Sequence, residues 1–155
     1  MTVAGVVAAF AFAPAREADF KRLFEIRLLA MRPSLERIGR FDPERARARF
    51  RGSFRPEHTR LILAPTGQLI GCVAFGPHDG ALLLEHFYML PEAQGGGIGS
   101  AVLRQLLAEA DAAGLPIQLD VLRESDAKRF YERHGFAETH RDELDIYMER
   151  LPGRA

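Results

Sequence analysis

Leu90-Pro91-Glu92-Ala93-Gln94-Gly95-Gly96-Gly97-Ile98-Gly99-Ser100-Ala101-Val102 is the stretch whose reading decides the fold. It joins an apolar run ending at Leu90 to residues of helical spacing that begin near Ile98, so it reads as strand, tight turn, helix. Gly95, Gly96, Gly97 and Gly99 lack the Cβ atoms that would block a large anion. The backbone N–H groups of a helix's first turn have no partner within the helix. Such a corner is a cradle for phosphate. Ser100 adds a hydroxyl donor, and the helix adds the positive end of its dipole.

The kind of cradle narrows by elimination. No Lys followed by Ser or Thr closes the loop, which excludes the nucleotide-triphosphate form. The dinucleotide form asks for glycine or alanine at a position that holds Ser100 when counted from Gly95 and Val102 when counted from Gly97. Asp120 stands about twenty residues on, where that motif places its ribose-binding acid, and keeps the dinucleotide reading open. A flexible glycine linker is the third reading, opposed by the apolar periodicity on both flanks.

Two segments carry a family resemblance. Gln94-Gly95-Gly96-Gly97-Ile98-Gly99 resembles the Gln/Arg-x-x-Gly-x-Gly/Ala signature of the GNAT acyltransferases, whose members often carry Leu-Pro-Glu in front, as Leu90-Pro91-Glu92 does here. Ala127-Lys128-Arg129-Phe130-Tyr131-Glu132-Arg133-His134-Gly135-Phe136 resembles the family's Ala-x-x-Phe/Leu-Tyr-Glu-x-x-Gly-Phe. The two motifs stand in the family's order, separated by one helix and one strand, and cover about the C-terminal half of the chain.

The resemblance implies a single-domain α/β fold with a central mixed, mostly antiparallel sheet, splayed at the cofactor site and covered by helices on both faces. It implies acetyl-CoA as co-substrate, its pyrophosphate held by Gln94, Gly95, Gly96, Gly97, Ile98, Gly99 and Ser100. The backbone of Phe87, Tyr88 and Met89 would lie along the pantetheine arm, with the Met89 N–H polarising the thioester carbonyl. Tyr131 matches the family tyrosine that gives its proton to the departing sulfur. The family's asparagine before that tyrosine is missing, and its place falls on Ser125, or on Glu124 under a different count. Serine would keep a shorter hydrogen bond, whereas glutamate would repel phosphate.

Bulk composition bounds the rest. A chain of 155 residues is the size of one domain with one core. Twenty-one Lys and Arg balance twenty-one Asp and Glu, so no overall field steers the protein toward nucleic acid or an anionic membrane. No apolar run approaches the roughly 18 residues of a membrane helix. Cys72 is alone within Ile70–Phe75 and reads as a small buried hydrophobe rather than a reactive thiol, which suits a reducing cytoplasm. Met1 to Ala15 imitates an export signal through Ala11-Phe12-Ala13 but has no positive side chain before Arg16. Val3, Val6, Val7, Phe10 and Phe12 are therefore expected to make a first or edge strand; a mature protein beginning near Pro14 would overturn this.

Taken in order, the spacing predicts a helix from about Glu17 to Met31, ended by Pro33, and a second from Asp42 as N-cap to Phe50 or Phe54. Arg60–Ala64, Gln68–Phe75 and Ala81–Leu90 read as three successive antiparallel strands. The cradle's helix runs from about Gly97 to Ala113, with Val102, Leu103, Leu106, Leu107 and Ala110 buried, and Gly114 stops it. A strand Ile117–Val121, a helix Asp126–His134 and strands Phe136–Thr139 and Asp145–Leu151 follow. Arginine recurs from Arg32 to Arg60, as a solvated helical face or as a basic rim for an anionic substrate or the CoA phosphates.

Acyl transfer to an amine needs a neutral nucleophile, a place for the oxyanion and a proton for the thiolate. By the period of two, Glu85, Phe87 and Met89 share one face of their strand while His86 and Tyr88 share the other. Glu85 is the first choice of general base, its alternative an ion pair with one of the arginines, and His86 is the rival. Tyr131, a phenol of pKa about 10, either serves as the acid or packs beside Phe130. No His or Cys cluster has metal spacing and no Ser-His-Asp order stands out, so no metal is expected. The expected activity is transfer of acetyl from acetyl-CoA to a primary amine by direct attack in a ternary complex, the acceptor a small molecule. The alternatives are a non-catalytic acyl-CoA sensor and an enzyme acting on a macromolecular amine, a protein N-terminus or a charged tRNA. Monomer and homodimer are both open.

Overall fold

Turn residues divide the apolar runs into seven strands: β1 (Ala11–Pro14), β2 (Thr59–Leu63), β3 (Leu69–His78), β4 (Ala81–Met89), β5 (Ile117–Leu122), β6 (Ala137–Arg141) and β7 (Asp145–Arg150). The computed structural model describes residues 9–123 and 125–153. The strands form one sheet in the order β1-β2-β3-β4-β5-β7-β6. Every neighbouring pair is antiparallel except β4 with β5, which is parallel. Among the described residues the α-helices are α1 (Phe20–Arg37), α2 (Pro43–Ser53), α3 (Ile98–Ala113) and α4 (Ala127–Glu132). The expected mixed, mostly antiparallel α/β architecture is thus the one that forms.

The length predicts one core, but strand alternation sends side chains to two, one on each face of the sheet. Under α1 and α2, Phe20, Leu23, Phe24, Phe50 and Phe54 gather on Cys72, with the Phe20 and Phe50 rings stacked at 5.2 Å. Under α3, Val102, Leu103, Leu106 and Ala110 pack on Val73, Phe75, Leu84 and Ile117. Leu107, expected in that stripe, is only partly buried. Leu103 is fully buried, so Leu103→Ala leaves a cavity and costs about 2–5 kcal/mol in urea denaturation. A loss below 1 kcal/mol would show that α3 is not seated as described. Cys72 is also sealed from solvent, and burial pushes its thiol up to about 12, which keeps it inert at neutral pH.

Asp42 caps α2 as expected, its carboxylate accepting from the Arg45 N–H at 3.2 Å. Two boundaries differ from expectation. Glu17–Asp19 forms a 3-10 turn, and α1 then runs straight through Pro33 to Arg37. Proline removes one N–H from the helix, normally a cost of about 3 kcal/mol, but the carbonyl left without its helical partner belongs to Leu29, a residue 52% exposed, on a face that solvent reaches. Among the described residues at the N-terminal end, Ala11–Pro14 is strand, paired with β2 through Phe12 and Ile62; Val3, Val6 and Val7 lie outside the described residues. Among the described residues, no helix is long and apolar enough to cross a membrane.

Candidate active site

The parallel pair β4–β5 has only two rungs, Leu82 with Ile117 and Leu83 with Gln118. Beyond them β5 pairs with β7 alone, through Leu119–Leu122, while β4 stays on β3 to Met89. The sheet therefore splits in a V, and the split opens a cleft of about 990 Å³ that both faces share. Its wall includes Glu85, Phe87, Tyr88, Met89, Gln94, Gly97, Ser125 and Tyr131, so residues expected from both sequence motifs meet in one place.

At the mouth of the V, the Leu90 N–H bonds the Ile70 carbonyl of β3 at 2.8 Å. Alternation then turns the Met89 N–H and C=O the other way, toward the gap. The Gln94 amide donates to that Met89 carbonyl at 2.9 Å, which fixes the corner between strand and helix. Gly97 takes φ +87°, a conformation that side chains resist, and stands as N-cap of α3 without a side-chain cap. The first helical bond of α3 is donated by Ala101, to the Gly97 carbonyl, so the N–H groups of Ile98, Gly99 and Ser100 have no helical partner. A Cβ at Gly95 or Gly96 would meet nothing within 4 Å, which leaves open space over the turn. Bare donors, a helix dipole and this room suit a pyrophosphate.

The face assignments on β4 need correction. Cys72 of β3 pairs with Tyr88, but Ala74 pairs with Glu85, so β4 carries one extra residue between them. His86 takes φ +50° at this bulge. Residues paired across a sheet share a face, so Glu85 lies with Tyr88, Cys72 and Ala74 on the α1–α2 side. Phe87 and Met89 pack on the α3 side instead. Glu85 is therefore not on the face of Phe87 and Met89. A simple period of two fails because the bulge resets the phase.

His86 closes a directed chain of hydrogen bonds. Arg27 Nε of α1 donates to the Tyr88 hydroxyl at 3.1 Å, and that hydroxyl lies 3.2 Å from His86 Nδ1. His86 Nε2 lies 2.8 Å from the Ser53 hydroxyl of α2, which donates to the Arg49 carbonyl at 3.0 Å. With Arg27 donating first, Tyr88 donates to Nδ1 and Nε2–H donates to Ser53, so the ring is the neutral Nε2–H tautomer. Burial, then the Arg27 charge, lowers the His86 pKa to about 4. In this arrangement Tyr88 occupies the acceptor nitrogen of His86.

Glu85 is half-buried, and burial raises its carboxyl above the usual range against the pull of Arg55, His78 and His58. Across the gap Asp120 and Asp145 line the same cleft. Desolvation first, then the Glu85 and Asp142 charges, raises Asp120; desolvation first, then Asp120 and Asp142, raises Asp145. Tyr131 is buried from α4, its ring held between Phe130 at 5.2 Å and Phe136 at 5.3 Å. Burial, then Tyr88 and Asp120, holds its proton well above the usual phenol range. The Ser125 hydroxyl donates to the Leu122 carbonyl at 3.0 Å and accepts from the Ala127 N–H at 3.3 Å, so its proton serves the turn into α4. Glu124, the other candidate for that slot, lies outside the described residues.

Residues 57–138, more than half of the chain, match the acetyltransferase (GNAT) domain family. The chain belongs to that family. Among solved structures it is similar to the PaiA N-acetyltransferase of Thermoplasma acidophilum in complex with coenzyme A, with a TM-score of 0.75 at 19% identity over 92% of this chain and 99% of that one. It is also similar to the ribosomal-protein-S18-alanine N-acetyltransferase of Escherichia coli, with a TM-score of 0.70 at 17% identity over 95% and 96% of the two chains. A GNAT acetyltransferase of Staphylococcus aureus Mu50 gives a TM-score of 0.69 at 13% identity over 92% and 99%. These likenesses establish the GNAT fold, and the V between β4 and β5 is the opening within it.

Sequence reasoning missed several residues of this GNAT cleft. Arg27, Ser53 and Asp145 had no assigned place, and Asp120 entered only as an imitation of a ribose-binding acid. Arg27 did carry a signal, being an arginine inside an apolar helical stripe.

Proposed function

We propose that the protein transfers an acetyl group from acetyl-CoA to a primary amine by direct attack in a ternary complex. The observation that carries this reading is the convergence, in one cleft, of the uncapped glycine corner, the gap-facing N–H of Met89, and Tyr131. The coenzyme supplies the acetyl group as an activated thioester. Gln94, Gly95, Gly96, Gly97, Ile98, Gly99 and Ser100 would hold its pyrophosphate, with Phe87, Tyr88 and Met89 along its arm and Ser125 beside it.

On this reading the two substrates approach from opposite faces of the sheet, the coenzyme on the α3 side and the amine on the α1–α2 side. Glu85 takes the proton that leaves the amine as its nitrogen bonds the carbonyl carbon, directly or through water. The Met89 N–H donates to the carbonyl oxygen as charge builds there. Tyr131 gives its proton to the sulfur as the carbon–sulfur bond breaks.

The test is a panel of primary amines with acetyl-CoA, read by thiol release, beside calorimetry of the coenzyme alone. Heat on titration with no thiol from any amine would favour an acyl-CoA sensor instead. The pH profile adds a sharper prediction. Glu85 must be ionised to act and its carboxyl is raised, so kcat/KM should fall as pH drops through a point above the ordinary glutamate value of about 4.3. Glu85→Gln should lower kcat by roughly 100-fold and abolish that acid limb. An unchanged limb in the variant would assign the titration elsewhere.

A further inference from the structure

Arg27 is 9% exposed, yet it contributes to the wall of the cleft. Its Nε is taken by Tyr88, but its Nη1 is buried with no hydrogen-bond partner. No carboxylate pairs with it among the described residues, and its guanidinium carbon lies 5.7 Å from the centre of the Tyr88 ring. A buried guanidinium without a counter-charge destabilises a protein unless something else compensates it. The cleft wall also carries both signs of charge, Glu85, Asp120 and Asp145 beside Arg27, Arg37 and Arg49. Arg49 acts on Asp145 and opposes the rise of its carboxyl, whereas Arg27 has no such acid among the described residues. An acceptor that answers both the acids and Arg27 carries an ammonium and an anion.

We infer that Arg27 binds the carboxylate of the acceptor, so that the substrate is an amino acid or a similar amine bearing a carboxylate. With Nε engaged by Tyr88 and Nη1 buried without a partner, the guanidinium keeps unused donors at its terminal nitrogens, which suit a carboxylate. The ammonium end of the same molecule faces Glu85, Asp120 and Asp145, sheds one proton to water before attack, and gives a second to Glu85 as the nitrogen bonds the carbonyl carbon. Tyr88, locked between Arg27 and His86, fixes the guanidinium and serves as a positioning residue.

This inference rests on the acetyltransferase reading, and one experiment separates the two. The twenty common amino acids, each beside its carboxamide, and phosphoethanolamine are offered with acetyl-CoA, and thiol release gives kcat/KM. At least one amino acid should exceed its carboxamide by 10-fold or more. Arg27→Met should bring that ratio to about one while the heat of acetyl-CoA binding remains. If Arg27→Met does not fold, Arg27→Lys keeps the charge without the fork, and its ratio should also fall. Carboxamides equal to or better than the acids, a preference for phosphoethanolamine over every amino acid, or an unchanged ratio in the variants would overturn the role of Arg27. No heat from acetyl-CoA and no thiol from any amine would instead overturn the acetyltransferase reading itself.

Discussion

Gly97→Val should abolish measurable binding of acetyl-CoA, a loss of at least 100-fold in calorimetry, while the protein remains folded. Gly97 stands at φ +87° and ψ −1° where the corner enters α3. A β-branched residue there must either bear roughly 1–2 kcal/mol of backbone strain or unwind the turn. Unwinding redirects the N–H groups of Ile98, Gly99 and Ser100, which on the proposed reading hold the phosphates. The strain itself is controlled by Gly67→Val, since Gly67 has φ +90° in the β2–β3 turn, away from the cleft. That variant should lose comparable stability and keep its coenzyme affinity. Equal binding by both variants would mean that the corner is not the cradle.

Tyr131→Phe should lower kcat by about 100-fold or more and leave the affinity for acetyl-CoA nearly unchanged. The substitution removes one oxygen and keeps the ring between Phe130 and Phe136, so packing cannot account for a fall in turnover. The raised phenol pKa makes the wild-type acid form persist through the working range, so a decline above neutral pH is not expected from Tyr131. Calorimetry with single-turnover thiol release separates binding from chemistry. Unchanged turnover would make Tyr131 a packing residue.

Much of the frame could be read from residues alone because its signals are local. The glycine corner, the apolar stripe of α3 ending at Gly114, the capped start of α2 and the Pro-Thr-Gly turn between β2 and β3 each carry their own chemistry within a few residues. What escaped depends on contacts between distant segments. The bulge at His86 shows in no local pattern, because it arises where β4 must follow β3 on one side and leave β5 on the other. It moved Glu85 to the opposite face from the one that strand period gives. Arg27, Tyr88, His86 and Ser53 come from α1, β4 and α2 and meet only in the folded chain. Pro33 is the reverse case, a local stop signal overridden because the turn it weakens lies at the surface.

The two-rung seam between Leu82–Leu83 and Ile117–Gln118 divides the sheet into two plates that share very little ladder. A long molecule lying in the V would bridge the missing rungs and brace one plate against the other. Grip on such a molecule and stiffness of the whole are then the same quantity, since whatever binds only the folded form stabilises it by mass action. Mutations that loosen the joint and mutations that weaken the hold should prove hard to tell apart by thermal melting in the presence of coenzyme, and easy to tell apart in its absence.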